Sequence, residues 1–385
     1  MMKKRVVYLM DDTGGGHRAA ANAISTALDA KYPGQCDNRL VRMWRDYTYY
    51  PRADKDYGPT IRYFRQGWGV SYKLTNHRGV AEAVMGILNW TVFLGHMDRF
   101  VRENPADVIV SVHSVFVRPV MHAYARQGYR PPFITVVTDL VSTHLWWYDP
   151  RVDRCLVPTQ AAFERGLLAG VPAEKMRVTG LPVDPQFAQN LVEKGEARAR
   201  LSWDPLKPAV LVVGGGAGMG PLYEIGQAID ALDRDCQLVV VAGRNNALKE
   251  QLETAAWNRA PHIYGYVEDM PTFMAAADIL VTKAGPGTIS EACIAGVPVI
   301  LSDYIPGQED GNVDYIVENH AGMLATDPPD VAQAVGEWLD EGPEGLAKRA
   351  RAARALGRPD AVWEVAEEVW HYANQPEVQM ADYKY

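Results

Sequence analysis

A chain of 385 residues has room for two ordinary domains, and 48% hydrophobic with 22% charged residues fits a soluble globular protein. The four cysteines (Cys36, Cys155, Cys236, Cys293) are scattered without a CxxC pair, which argues against a zinc site or disulfide framework and fits a reducing compartment. The net charge of −8 hides an asymmetry: residues 1–200 carry 27 basic and 19 acidic side chains, and the rest carry 12 and 28. A first part of net +8 has the sign that suits an anionic partner; the remainder, at −16, does not.

The chain opens Met-Met-Lys-Lys-Arg followed by an apolar run, as a leader would. Asp11 and Asp12 cut that run short, so it reads as a first strand. No run of 18 apolar residues exists to form a membrane-spanning helix. Directly after the strand, residues 11–19 read Asp-Asp-Thr-Gly-Gly-Gly-His-Arg-Ala. Three glycines permit a tight turn and close approach by a ligand. The unpaired N–H groups of the helix that follows suit an anion. His17 stands at that helix mouth and is the best candidate in the chain for a proton-moving group. Gly14, Gly16 and Ala19 also match a dinucleotide GxGxxA pattern weakly. However, the second strand lacks a ribose-binding acid at its end, where Arg42 and Trp44 stand, and Asp37 precedes it.

Strand-like runs follow at 39–43, 108–112, 133–138 and 155–158, with helical patterns starting near His17, Pro119, Gln160 and Pro185. Residues 44–104 break this alternation. Within 39–78 there are nine basic residues against three acids, and nine aromatics that include Trp44, Tyr47, Tyr63, Phe64, Trp68 and Tyr72. An uncharged stretch with Trp90 and Phe93 comes next. Basic and aromatic residues together suit a headgroup-level membrane surface, or equally a helical insert packing its rings inward. No nucleic-acid module is recognisable. Trp203-Asp204-Pro205-Leu206-Lys207-Pro208 is the expected linker.

A second set of strands is expected at 209–213, 237–242, 278–282 and 299–302. Apolar strands alternating with helices predict an α/β fold of two Rossmann-like domains with parallel sheets. Gly-Gly-Gly-Ala-Gly-Met-Gly at 214–220 makes a second anion-cradling turn, without the GK[ST] of a nucleotide-hydrolysing P-loop. Further on come Gly243-Arg244-Asn245, Gly265-Tyr266-Val267, Lys283-Ala284-Gly285-Pro286-Gly287-Thr288 and Pro306-Gly307-Gln308-Glu309. Gly287 and Thr288 open a helix fit for a phosphate. Glu291, one turn deeper, suits a ribose diol. Gln308 and Glu309 suit sugar hydroxyls.

The order GGGHR, TDL with His144 and Trp147, GGGAGMG, AGRN, GYV, KAGPGTISEA and PGQEDGN resembles the monogalactosyldiacylglycerol synthase family and its processive diacylglycerol glucosyltransferase relatives, over nearly the whole chain. The resemblance implies a GT-B glycosyltransferase of family-28 type with an interdomain cleft. Residues 1–203 would bind acceptor and membrane, 204–358 the UDP-sugar, and 359–385 would form a helix crossing back, with a tail. It implies His17 as general base and Asp139 as a catalytic or orienting group, with Asp11 and Asp12 as other candidates to orient the imidazole. Gly15, Gly16, His144 and Trp147 would lie on the acceptor side. The donor side would be Gly214, Gly215, Gly216, Arg244, Asn245, Tyr266, Val267, Gly285, Gly287, Thr288, Glu291, Gln308 and Glu309.

The implied reaction moves galactose or glucose from UDP-hexose to the sn-3 hydroxyl of 1,2-diacylglycerol with inversion, without cofactor or metal. The implied setting is a cytoplasmic protein held peripherally at an anionic membrane face. A peptidoglycan-precursor UDP-GlcNAc transferase, a UDP-GlcNAc 2-epimerase-like isomerase and a silent nucleotide-sugar sensor are the rival expectations.

Overall fold

The computed structural model describes residues 2–12, 15–50, 52–93 and 95–380, with the backbone alone at 53–55, 57 and 62. Gly14, one of the first turn's glycines, lies outside them. In the first unit, strands β1 (Lys4–Met10), β2 (Cys36–Arg42), β3 (Val108–Ser111), β5 (Phe133–Val136), β6 (Arg154–Val157) and β7 (Met176–Val178) form a parallel sheet in the order β2-β1-β3-β5-β6-β7. The short β4 (Tyr129–Arg130) instead pairs antiparallel with a strand near the end of the chain.

Alternation along β1 explains why this sheet is covered on both faces. Val7 and Leu9 enter one apolar cluster with Phe116, Phe133 and Trp147, while Val6, Tyr8 and Met10 enter another with Ile24 and Leu28. The late helix Ala361–Ala373 buries Val362, Val365 and Val369 in that second cluster. Trp370 stacks on Tyr32 at 4.3 Å, and Glu368 accepts from Arg154 and Arg177.

The second unit holds β8 (Ala209–Val213), β9 (Gln237–Val241), β10 (His262–Tyr264), β11 (Ile279–Lys283), β12 (Val299–Asp303) and β13 (Gly322–Leu324), all parallel, in the order β10-β9-β8-β11-β12-β13. That is the doubly wound Rossmann order. β14 (Val378–Gln379) is the partner of β4.

The first sheet lacks the strand that would follow β2. In its place stand five helices: Met43–Asp46, Ala53–Tyr63, Arg65–Thr75, Arg78–Thr91 and His96–Glu103. The insert is therefore helical, and its rings divide. Phe93 and Tyr47 are buried, whereas Tyr63, Phe64, Leu74, Ile87 and Trp90 are exposed, Trp90 by 73%. No single described helix is long and apolar enough to cross a membrane.

The division between units differs from the expected boundary at 203. The first unit comprises Met1–Pro185, Ile305–Gln308 and Asp360–Tyr385; the second comprises Gln186–Tyr304 and Glu309–Pro359. The proline-rich stretch is built into the second unit rather than linking to it. Trp203 is buried and its indole N–H donates to the Tyr264 hydroxyl at 3.1 Å. Just upstream, buried Arg198 donates to the carbonyls of Ala276 (3.0 Å) and Pro205 (2.9 Å) and pairs with Asp278.

Candidate active site

Ligands in open α/β sheets meet the carboxyl ends of the strands, and both units carry their expected site residues there. In the first unit β1 ends at Met10 and the chain turns through two acids. Asp11 is buried and accepts the Trp44 backbone N–H at 2.5 Å, fastening the turn to the start of the helical insert. Asp12 pairs with Arg18, and with Arg42 at 3.7 Å; the Arg18 hydrogen bond holds its carboxyl below the usual range. Gly15 takes φ +79° as the cap of helix Gly16–Lys31, and the space beside Gly16 is open.

His17 is half-buried in the first turn of that helix. Its Nδ1 lies 2.7 Å from the Val112 carbonyl and 3.0 Å from the Thr138 hydroxyl. A carbonyl only accepts, so Nδ1 carries the proton and Nε2 keeps its lone pair. Burial pushes the imidazole down to about 4, so it is neutral near pH 7. The ring is thus oriented by a backbone carbonyl and a hydroxyl, and Asp11, Asp12 and Asp139 are spent elsewhere. Asp139 Oδ2 accepts the Trp147 indole N–H at 2.7 Å.

Two acceptor-side expectations change. Trp147 is fully buried in the core and offers no surface to a ligand; its neighbour Trp146 lines the cavity instead. His144 has both nitrogens engaged: Nδ1 accepts from the Trp146 N–H at 3.2 Å and Nε2 meets the Thr75 hydroxyl at 3.1 Å. Burial pushes it down to about 3. It braces helix Arg65–Thr75 and has no free base to offer.

His17 opens onto a cavity of about 440 Å³ lined by His113, Asp139 and His144, by the rings of Trp44, Trp68, Tyr72 and Trp146, and by Gln308. All of these belong to the first unit, Gln308 through the segment Ile305–Gln308.

In the second unit, the turn 214–220 closes on itself through Gly218 N–H to Gly215 O (3.0 Å) and Met219 N–H to Gly214 O (2.9 Å). Those two amides are therefore used internally. Gly218 takes φ +60°, and a Cβ there would lie 1.9 Å from the Ala242 carbonyl, so this glycine is needed for backbone packing. Arg244 N–H donates to Gly216 O at 3.0 Å, and its guanidinium stacks 4.0 Å above the Tyr266 ring. Arg244, Tyr266 and Gly216 thus converge, with Val267 half-buried in the same loop. Asn245 is structural: its side chain caps helix Asn246–Thr254 at Leu248 N–H (3.1 Å) and reaches Gly218 O at 3.3 Å.

Beyond β11, Gly285 is the N-cap of helix Pro286–Ala295. Gly287, Thr288 and half-buried Glu291 occupy its first turns, and the space beside Gly287 is open. Buried Glu309 stands at the N-cap position of helix Asp310–Glu318 without a side-chain capping bond, and Lys283 Nζ lies 3.7 Å from its Oε1. Asn312 donates to Ala284 O at 2.9 Å and fixes the two loops together. Among the described residues no group of His, Cys, Asp and Glu is arranged to hold a metal ion.

Four groups at these edges carry no role in the sequence reading: the Val112 carbonyl and His113, which no motif includes, and Thr138 and Lys283, which stand inside quoted motifs. His113 and Lys283 do carry a signal, since each stands where a strand's carboxyl end meets its loop. A carbonyl carries none.

A sequence model of the monogalactosyldiacylglycerol (MGDG) synthase family matches residues 17–183, and one of the glycosyltransferase family 28 C-terminal domain matches 209–362. The chain is 37% identical to the probable monogalactosyldiacylglycerol synthase 2, chloroplastic, of Oryza sativa subsp. japonica, across 97% of this chain and 81% of that protein. It is 35% identical to the monogalactosyldiacylglycerol synthase 3, chloroplastic, of Arabidopsis thaliana, across 97% and 82%. Among solved structures, MurG of Acinetobacter baumannii superposes with a TM-score of 0.64 at 16% identity over 96% of this chain and 99% of that one. The UDP-GlcNAc 2-epimerase of Neisseria meningitidis gives 0.58 at 14% over 96% and 100%. These structures share the fold alone, two Rossmann-like units of the GT-B type. The sequence relatives go further: this chain belongs to the monogalactosyldiacylglycerol synthase family.

Proposed function

We propose that the protein is a glycosyltransferase that makes galactolipid, moving galactose from UDP-galactose to the sn-3 hydroxyl of 1,2-diacylglycerol with inversion. The observation that carries this reading is the tautomer of His17, in a chain with 37% identity to a probable MGDG synthase. The unprotonated Nε2 belongs to a ring that lines a cavity whose exposed surface is mainly apolar, with Asp139, Ser71 and Thr75 among its polar groups, which suits a lipid's glycerol end.

In the reaction, Nε2 takes the proton of the sn-3 hydroxyl. The oxygen forms a bond to C1 of the α-linked sugar from the face opposite UDP. The C1–O bond to UDP breaks, and its electron pair leaves on the phosphate oxygen. A positioned base contributes about 10²–10⁴-fold. The charge on departing UDP calls for fixed donors, and Arg244, Lys283 and the N-terminus of helix Pro286–Ala295 are the second unit's supply. Glu291 is assigned to the ribose, Gln308 and Glu309 to the sugar, and Gly214–Gly216 amides with the Gly285–Thr288 turn to the diphosphate. No step calls for a metal.

The exposed rings of the insert, Tyr63, Phe64 and Trp90 with Ile87, are assigned to the headgroup level of a membrane. Basic residues of the insert would add roughly 1 kcal/mol each at an anionic leaflet. Peripheral attachment to a membrane surface follows from this assignment.

The test incubates purified protein with diacylglycerol vesicles and UDP-galactose, UDP-glucose or UDP-GlcNAc, followed by mass analysis of the lipid. Galactosyl-diacylglycerol is expected to dominate. Conversion of UDP-GlcNAc without lipid product would overturn the reading.

A further inference from the structure

His17 acquires a positive charge when it takes a proton, and among the described residues no carboxylate is hydrogen-bonded to its ring. Nδ1 faces a carbonyl and a hydroxyl, both neutral. Something else must make that charge tolerable in a half-buried place, because an isolated buried cation is costly. The groups packed on the ring faces are aromatic. His113 lies with its ring centroid 4.4 Å from that of His17, tilted by 39°. Trp147 lies at 6.1 Å, tilted by 50°, with its N–H on the Asp139 carboxylate.

His113 is itself fixed. It is 6% exposed, its Nδ1 accepts the Val115 N–H at 3.3 Å, and the Phe116 ring packs against it with centroids 4.8 Å apart. The accepting Nδ1 identifies His113 as a neutral ring with its proton on Nε2. Burial and the neighbouring His17 keep it neutral, far below the usual histidine range. It therefore presents an uncharged π face and does not compete for the proton.

We propose that His113 is a positioning residue for the transfer reaction, holding the His17 ring at its working angle and giving the imidazolium formed during proton transfer a cation–π partner. The inference rests on His17 being the base. A ring in van der Waals range of a desolvated cation is worth about a ten-fold change in rate. The stabilisation exists only after the proton has moved, so it acts on kcat and leaves donor binding alone. Asp139 enters the same scheme at one remove, by polarising the Trp147 indole.

The test compares His113→Phe, His113→Leu and His113→Gln in the vesicle assay, with UDP affinity and thermal unfolding measured on each. Leucine keeps bulk without a π face, and glutamine is a second non-aromatic variant in case leucine disturbs folding. The expected result is a kcat about ten-fold lower for leucine or glutamine, largely restored by phenylalanine, with the KM for UDP-galactose unchanged. Equal activity of phenylalanine and the non-aromatic variants, whether intact or impaired, would overturn the proposal. So would a change confined to KM. His17→Ala separates the two layers: if that variant turns over normally, the base assignment falls. If it is inactive while the non-aromatic His113 variants match wild type, only the inference about His113 falls.

Discussion

The first unit's sheet ends in histidines and aromatic rings. The second unit's sheet, of closely similar strand order, ends in glycines, a helix N-terminus and two cations, Arg244 and Lys283. The net charges of the two parts run the other way, +8 for residues 1–200 and −16 for the rest. Net charge is therefore a poor guide to a site: the acidic part still places Arg244 and Lys283 at its strand edge, and the basic part builds an apolar cavity around a neutral histidine. The basic excess lies partly on the helical insert. One fold hosts both because the strand edge fixes only where side chains stand, not which ones.

That contrast can be broken from either side. The largest effect is expected in the first unit: His17→Ala should lower kcat by about 10²–10⁴-fold while UDP binding by calorimetry stays as in wild type. Next is Gly218→Ala in the second unit. Its Cβ would fall 1.9 Å from the Ala242 carbonyl at φ +60°, so UDP affinity should drop more than about ten-fold and the unfolding temperature by several degrees. Lys283→Ala removes the cation beside buried Glu309 and should raise the KM for UDP-galactose roughly ten-fold, with a smaller change in kcat. Trp90→Ala, on the exposed face of the insert, should weaken sedimentation with vesicles several-fold and leave UDP binding alone.

A further effect is one of pH. Burial holds His17 down to about 4 and His144 down to about 3, whereas unfolded histidines take up protons near the ordinary value of about 6.5. Below that value the unfolded chain binds more protons than the folded one. Stability is therefore full above about 6.5 and falls as pH drops toward 4. Thermal unfolding measured across that window should show it, and the acid limb of kcat should lie well below 6.5.

Much of this was legible in the residues. Interior strands such as 209–213 and 237–241 are continuous apolar runs and read correctly as buried parallel strands. Missed were β7, β10 and β13, three-residue strands at sheet edges whose side chains are largely half-buried and leave no apolar run. The linker was misplaced because a proline-rich stretch looks alike whether it joins units or packs within one; only Trp203 and Arg198, both buried, tell the difference.

At the site, glycine turns and His17 stood out because their residue types are uncommon in that pattern. What holds His17 did not, since every residue carries a backbone carbonyl and nothing in the sequence marks that of Val112. Trp147 is placed on the acceptor side only by the family resemblance of the TDL motif with His144; its indole N–H instead satisfies a buried aspartate.

The central claim is one displacement driven by one base, with no covalent sugar–enzyme step between. The most direct measurement is the anomeric configuration of the sugar in lipid made from α-linked UDP-galactose and diacylglycerol vesicles, read by proton NMR of the purified product. A β-galactoside is expected, and an α-galactoside would contradict a single displacement.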